Sequence, residues 1–281
     1  MVASLPFVPG RLIAIGGAED RTEELRILAR IYSHASGSDE VAVVATASGI
    51  PDEVLPAYET AFKRLGASRV HALDVRDRKD AADEGNVRKV EQSGVIFFTG
   101  GDQLRLTHVF GGSAMLKAIR KRYQEGAVVA GTSAGAMALP ATMIYSGGAA
   151  DALHKGAVKM TSGLGFAEGV IIDSHFLERG RFTRLMEVGA TNPEHLGIGL
   201  GEDAAVVFHP NQIIEAIGSG HVILVDSRDL ARSNVADLAT GEAVAVENIV
   251  MHALIDGHGF DIANRRYLSP DELAQDIRTA V

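Results

Sequence analysis

Ser133 stands at the centre of Gly131-Thr132-Ser133-Ala134-Gly135, a match to G-x-S-x-G. This pattern suits a nucleophilic serine when an apolar strand runs into it and small residues lead out as a helix. Both conditions hold here, with Ala-Val-Val-Ala at 127–130 and Ala-Met-Ala-Leu at 136–139. The two glycines let strand and helix approach around a strained turn that lifts the hydroxyl clear of the sheet. The Ala134 amide at the helix start can then face a developing oxyanion.

A serine hydroxyl at its ordinary pKa is a weak nucleophile and needs a base. Of the ten histidines, His34 reads as part of a surface helix, His154 and His195 as loop residues, and His71 and His221 as strand residues. His175 differs. It follows an apolar run that ends at Ile172, so Asp173 to His175 fall at a strand's carboxyl end, the level expected for Ser133. A carboxylate must fix the imidazole tautomer. Asp173, Glu202 and Asp203 are the candidates, and spacing does not choose among them.

Two further groups could bind substrate. Gly100-Gly101-Asp102-Gln103 follows the strand Val-Ile-Phe-Phe. There the Gly101 amide could be a second oxyanion donor and Gln103 a substrate contact, with Asp102 equally readable as a helix cap. Arg179, Arg181 and Arg184 come directly after His175. On a helix starting here Arg181 and Arg184 share a face, and guanidinium forks suit carboxylates; a solvated face is the plainer reading. Gly16 to Asp20 lacks the full G-x-G-x-x-G of a dinucleotide site. No His, Asp or Glu spacing suggests a metal, so neither metal nor cofactor is expected.

These residues need a scaffold. Apolar β-branched runs at 11–17, 40–48, 68–75, 94–101 and 127–133 alternate with helical patterns. One helix is expected over 22–35, with Leu25, Leu28 and Ile31 on one face; another opens at Pro51. The alternation implies a mostly parallel sheet covered on both faces, with ligands outside the strands' carboxyl ends. From Gly197 onward short strands read as hairpins extending that sheet. The glycine-rich stretch 145–165 is an active-site loop or a surface excursion. No linker divides the chain, so residues 1–281 are expected to form one domain.

The formal net charge of −9 argues against a nucleic-acid partner and permits a cationic or zwitterionic substrate. There is no cysteine, hence no disulfide and no thiolate chemistry. No apolar run approaches a membrane span, and the first ten residues lack the basic and apolar parts of a signal peptide. A cytoplasmic location is expected.

Five ordered blocks, Gly-Gly-Ala-Glu-Asp at 16–20 and those beginning at Phe98, Ala130, Val170 and Gly197, resemble the cyanophycinase family. These are serine peptidases related to peptidase E, with a fold like the class I glutamine amidotransferases. The resemblance implies a three-layer α/β/α sandwich with C-terminal β-hairpin additions. It implies exo-acting hydrolysis of cyanophycin, a poly-aspartate bearing arginine on its side chains, to β-aspartyl-arginine dipeptides through an acyl-enzyme. Carried over by position, it makes Ser133 the nucleophile, His175 the base and Glu202 the acid, with Gly101 and Ala134 as oxyanion donors. Gln103, Asp173, Arg179, Arg181 and Arg184 become substrate contacts, as does Ser174, where the family commonly has glutamine. A homodimer is also implied. The alternatives are an aspartyl dipeptidase of the peptidase E type, which lacks the arginine block, and a non-catalytic binding protein on the same fold. The latter would not need Ser133, His175 and a carboxylate together.

Overall fold

The expected alternation builds a parallel sheet. In the computed structural model, which describes residues 10–279, its strands are β1 (Leu12–Ile15), β2 (Glu40–Val44), β3 (Arg69–Leu73), β4 (Val95–Phe98) and β5 (Val128–Thr132). They lie side by side in the order β1-β5-β4-β2-β3, all parallel. Every residue of β1, β4 and β5 is buried, as it must be with helices on both faces. Alternate side chains serve different cores. Ile13 and Ile15 pack with α1 (Arg26–Ser33) and α2 (Pro51–Arg64). Leu12 and Ala14 join the core on the other face. That core draws on α3 (Glu84–Gln92), α4 (Gln103–Phe110), α5 (Ala114–Gln124) and the short α6 (Ala134–Ala138). The reading of the chain's start falls on residues 1–9, outside the described ones.

The helix expected over 22–35 begins only at Arg26. Asp20 is the cause: its carboxylate accepts from the amides of Thr22, Glu23, Glu24 and Leu25 at 2.6–2.9 Å. Those amides, Glu23's foremost, hold the Asp20 carboxyl far below the usual carboxylate range.

The second half contains β6 (Thr142–Ser146), β7 (Lys159–Ser162), β8 (Val170–Asp173), α7 (Phe182–Thr191), β9 (Leu196–Leu200), β10 (Ala204–His209), β11 (Ile213–Gly218) and β12 (Val222–Asp226). The chain ends with β13 (Arg232–Ser233), β14 (Val246–Glu247), β15 (Val250–Leu254), β16 (Gly259–Asp261), β17 (Arg266–Leu268) and α8 (Pro270–Thr279). Strands β10, β11, β16 and β17 extend the large sheet antiparallel beyond β1, giving nine strands. The other expected hairpin strands do not join it: β9, β12 and β15 form a second, four-stranded sheet with β8. Glycines explain the separation. A Cβ at Gly199 would lie 2.5 Å from the Phe176 ring, and one at Gly197 3.2 Å from Leu185 Cδ1. Bare backbone on β9 therefore lets the segment after β8, and α7, pack directly on this sheet. The chain crosses between sheets at Gly201–Asp203, where Asp203 takes φ 48°.

The glycine-rich stretch 145–165 is tied to α7. Thr183 Oγ1 donates to Ala149 O (2.8 Å), Arg184 Nη1 to Gly147 O (2.6 Å), and the buried Glu187 accepts from the Leu153 and Val158 amides, each at 3.0 Å. Among the described residues no helix is long and apolar enough to cross a membrane.

His34, expected on a surface helix, is half-buried at the C-terminal end of α1. Burial, then the charges of Arg30 and Arg11, push it from its ordinary 6.5 down to about 4. The folded chain thus keeps it neutral while the unfolded chain takes up a proton below about 6.5. Its contribution to stability is present above that pH and is lost as pH falls towards 4. His34→Gln is expected to flatten the acid side of the curve of melting temperature against pH. An unchanged curve would contradict this.

Candidate active site

Ser133 sits between β5 and α6 with φ 53° and ψ −115°, a conformation that L-residues rarely hold. Its neighbours force the turn. Its amide N–H donates to Ile15 O at 2.9 Å, and the flanking glycines allow a backbone approach that no side chain could share. A Cβ at Gly131 would lie 2.6 Å from the Gly135 carbonyl carbon, and one at Gly135 2.9 Å from that of Phe98. The hydroxyl is presented to His175: Ser133 Oγ lies 3.0 Å from Nε2.

His175 follows β8 with φ 46°, and its amide N–H donates to Gly16 O at 2.9 Å. Its ring rests on bare backbone, since a Cβ at Gly17 would lie 2.5 Å from Nε2. On the far side Nδ1 is 2.7 Å from Glu202 Oε1. With Nδ1–H donated to the carboxylate, Nε2 turns its lone pair to the serine hydroxyl. Glu202 lies in the crossover between β9 and β10, and its amide donates to Glu178 Oε1 at 3.1 Å. The other two candidate carboxylates are engaged elsewhere. Asp203 accepts from the hydroxyl of Ser219, and Asp173 is fully buried between arginines.

The loop after β4 lies against this line. A Cβ at Gly100 would be 3.2 Å from Ser133 Cβ. Gly101, at φ 137°, leaves no space for a side chain beside Ala47 O, and Asp102 N–H donates to that same oxygen at 3.0 Å. The loop bearing the Gly101 amide therefore sits beside Ser133, which Ala134 directly follows. Asp102 also caps α4, its carboxylate accepting from Leu104 N–H at 2.9 Å.

The expected substrate contacts divide. Gln103 Nε2 donates to Ile144 O at 2.9 Å, joining α4 to β6. Arg181 and Arg184 do not form a solvated face. Arg181 Nη1 donates to Asp173 Oδ1 (2.8 Å) and to Ser174 O (2.9 Å), and Arg184 Nε lies 2.9 Å from Asp173 Oδ2. Burial raises the Asp173 carboxyl, and the charges of Arg184 and Arg181 oppose that rise. Asp173, Ser174 and Arg184 are all buried, and Ser174 Oγ points to Met137 Sδ at 3.2 Å. These three side chains belong to the support beneath the site and are not open contacts, because each has its polar partner inside the protein. Arg181 is half-buried and Arg179 exposed. Residues that sequence reasoning did not assign are Gly17 under the imidazole, Glu178 on the crossover, and Glu19, whose Oε2 accepts from Thr132 Oγ1 at 2.6 Å. Gly17 and Glu19 lie in the block at 16–20 and Glu178 in the one beginning at Val170, and nothing in the residue types gave them these contacts. Among the described residues no group of three or more His, Asp or Glu could hold a metal ion.

A serine on a strained strand-to-helix turn with an imidazole and a carboxylate in line behind it is an arrangement that serine hydrolases share. Residues 12–216 match peptidase family S51, and the chain belongs to that family of peptidases. It is 37% identical over 266 residues to a cyanophycinase of Geminocystis herdmanii, covering 94% of this chain and 97% of the relative. It is 35% identical over 255 residues to a cyanophycinase of Synechococcus elongatus (90% and 79%) and 34% identical over 259 residues to one of a Nostoc species (92% and 87%). In fold it matches a crystal structure of a peptidase from an acI-B1 actinobacterium at a TM-score of 0.64, with 21% identity and 90% and 96% of the two chains covered.

Proposed function

We propose that this chain is a cyanophycinase that removes β-aspartyl-arginine dipeptides from a chain end of cyanophycin, with Ser133 as nucleophile, His175 as base and Glu202 as acid. The observation that carries this reading is the continuous line from Ser133 Oγ through the His175 ring to Glu202 Oε1, at 3.0 and 2.7 Å. Relatives named for that activity align with it over nearly the whole chain.

The chemistry follows from the line. Ser133 Oγ attacks the scissile backbone carbonyl carbon while Nε2 takes the hydroxyl proton. The Gly101 and Ala134 amides stabilise the resulting oxyanion. His175 gives the proton to the departing amine, the C–N bond breaks, and the acyl group stays on Ser133 as an ester. Water then attacks the ester, His175 takes its proton, and the proton returns to Ser133 as the acid product leaves. Glu202 remains ionised throughout and stabilises the imidazolium. Arg179, which is exposed, and Arg181, which is half-buried, follow His175 in the chain and would supply charge for substrate carboxylates. The chain's net charge of −9 tolerates the guanidinium groups beside them. Action as a cytoplasmic homodimer, carried by the resemblance, is part of the same reading.

Incubation of the purified protein with cyanophycin granules, followed by mass spectrometry, tests the proposal. Release of β-aspartyl-arginine is expected. Intact polymer, or cleavage confined to α-aspartyl dipeptides, would overturn it.

A further inference from the structure

One hexapeptide, Ile15 to Asp20, holds the backbone of Ser133, of His175 and of Asp203, the residue after Glu202. Ile15 O receives the Ser133 amide, Gly16 O the His175 amide and Gly17 O the Asp203 amide, each at 2.9 Å. Gly17 also lies against the His175 ring. The residue that fastens this peptide to the nucleophile's strand is Glu19. It is buried, with 4% of its surface exposed, and both carboxylate oxygens are engaged. Oε2 accepts from Thr132 Oγ1 at 2.6 Å, and Oε1 accepts from the hydroxyl of Tyr58, itself buried on α2. Burial, with the Glu19 charge next, raises the Tyr58 phenol, so it stays a hydrogen-bond donor at any working pH. The Arg21 guanidinium sits 5.3 Å above the Tyr58 ring and places a cation beside this pair.

A carboxylate taken this far from water is expensive unless it is fully hydrogen-bonded. Its acceptors here hold two donors, one of which belongs to the residue next to the nucleophile. A core packed for stability alone could fill this space with an apolar side chain. We propose that Glu19 is a positioning residue for the hydrolysis: by clamping Thr132 it fixes the Ser133 turn against the peptide that also carries the base. Glu19 does not reach the reacting atoms. Its effect passes through Thr132 and the 15–20 peptide to the Ser133–His175 distance, to which a reaction of this kind is steeply sensitive.

This inference rests on the proposed role of Ser133, so Ser133→Ala is assayed alongside. The test is steady-state hydrolysis of cyanophycin by Glu19→Ala, Glu19→Gln, Thr132→Val, Thr132→Ser and the Glu19→Ala/Thr132→Val double variant, each verified as folded by circular dichroism. Glu19→Ala and Thr132→Val are each expected to lower kcat about tenfold to a hundredfold, with KM within about twofold of the parent. Thr132→Ser keeps the donor and should recover most of the loss, and Glu19→Gln, which keeps one acceptor, should fall between. The double variant should be no worse than either single one, because both cut the same link. Should Glu19→Ala fail to fold, the contrast between Thr132→Val and Thr132→Ser still decides. Parental kcat in folded Thr132→Val, or losses that multiply in the double variant, would overturn the clamp. Activity surviving in Ser133→Ala would instead overturn the nucleophile assignment.

Discussion

Ser133→Ala is expected to abolish release of dipeptide from cyanophycin, lowering kcat by about four to six orders of magnitude, while the protein keeps its melting temperature within a few degrees. The size follows from the unit the three side chains form: without Oγ there is no acyl-enzyme, and the imidazole and carboxylate behind it have nothing to activate. The fold should survive because alanine keeps the Cβ, and what forces the turn lies outside the hydroxyl. That turn depends on the Ile15 O bond to the Ser133 amide and on the bare backbones of Gly131 and Gly135. Loss of one hydrogen bond to His175 costs little beside a largely buried ring that keeps its partner at Nδ1. Assay of product by mass spectrometry, together with a thermal melt, checks both halves. Activity within tenfold of the parent would remove Ser133 from the mechanism.

Gly17→Ala should also lower turnover strongly, although it replaces no reacting group. The added methyl would lie 2.5 Å from His175 Nε2, well inside contact distance, so either the ring or the 15–20 peptide must move. The peptide is pinned by the amides of Ser133, His175 and Asp203, so the ring is what yields. It also starts from φ 109°, a conformation that costs alanine about 1–3 kcal/mol. Displacement of the imidazole by about 1 Å is enough to lower kcat on the order of a hundredfold. The signature is a fall in kcat with a small change in KM, since no group expected to meet substrate carboxylates has changed. A kcat within threefold of the parent would mean that the ring is not seated on Gly17 during turnover.

Some of this was open to reading from residue types alone. Runs such as Val-Ile-Phe-Phe and Ala-Val-Val-Ala are buried on both faces and admit little but central parallel strands, and the small residues around Ser133 point to a close strand–helix turn. His175 was identifiable because an apolar run ends just before it. Partners across the fold were another matter. Alternation tells which way a side chain points and says nothing about which sheet its strand joins, so the strands from Gly197 onward all read as extensions of one sheet, whereas β9, β12 and β15 pair with β8 in a second one, where Gly197 and Gly199 accept Leu185 and Phe176. For the same reason spacing left Asp173, Glu202 and Asp203 equivalent, and only the family resemblance favoured Glu202. The run containing Arg181 and Arg184 read as a solvated face because its counter-charge, Asp173, lies eight or more residues away and becomes a neighbour only when β8 packs under α7. Gly17 and Glu19 lie in a stretch, Gly16 to Asp20, that lacks the full dinucleotide-binding pattern and so read as no particular site. Their actual work, under an imidazole and beside Thr132, depends on contacts more than a hundred residues distant.

The division of the strands into two sheets bears on how this molecule could fail. Ser133 leaves the nine-stranded sheet, His175 leaves the four-stranded one, and Glu202 stands where the chain passes between them. The proton relay therefore spans a seam and acts as a gauge of its width. A stress that widened the seam by an ångström would silence the relay while every strand in both sheets stayed paired. Inactivation is then a local event, separable from the cooperative unfolding that dismantles either core.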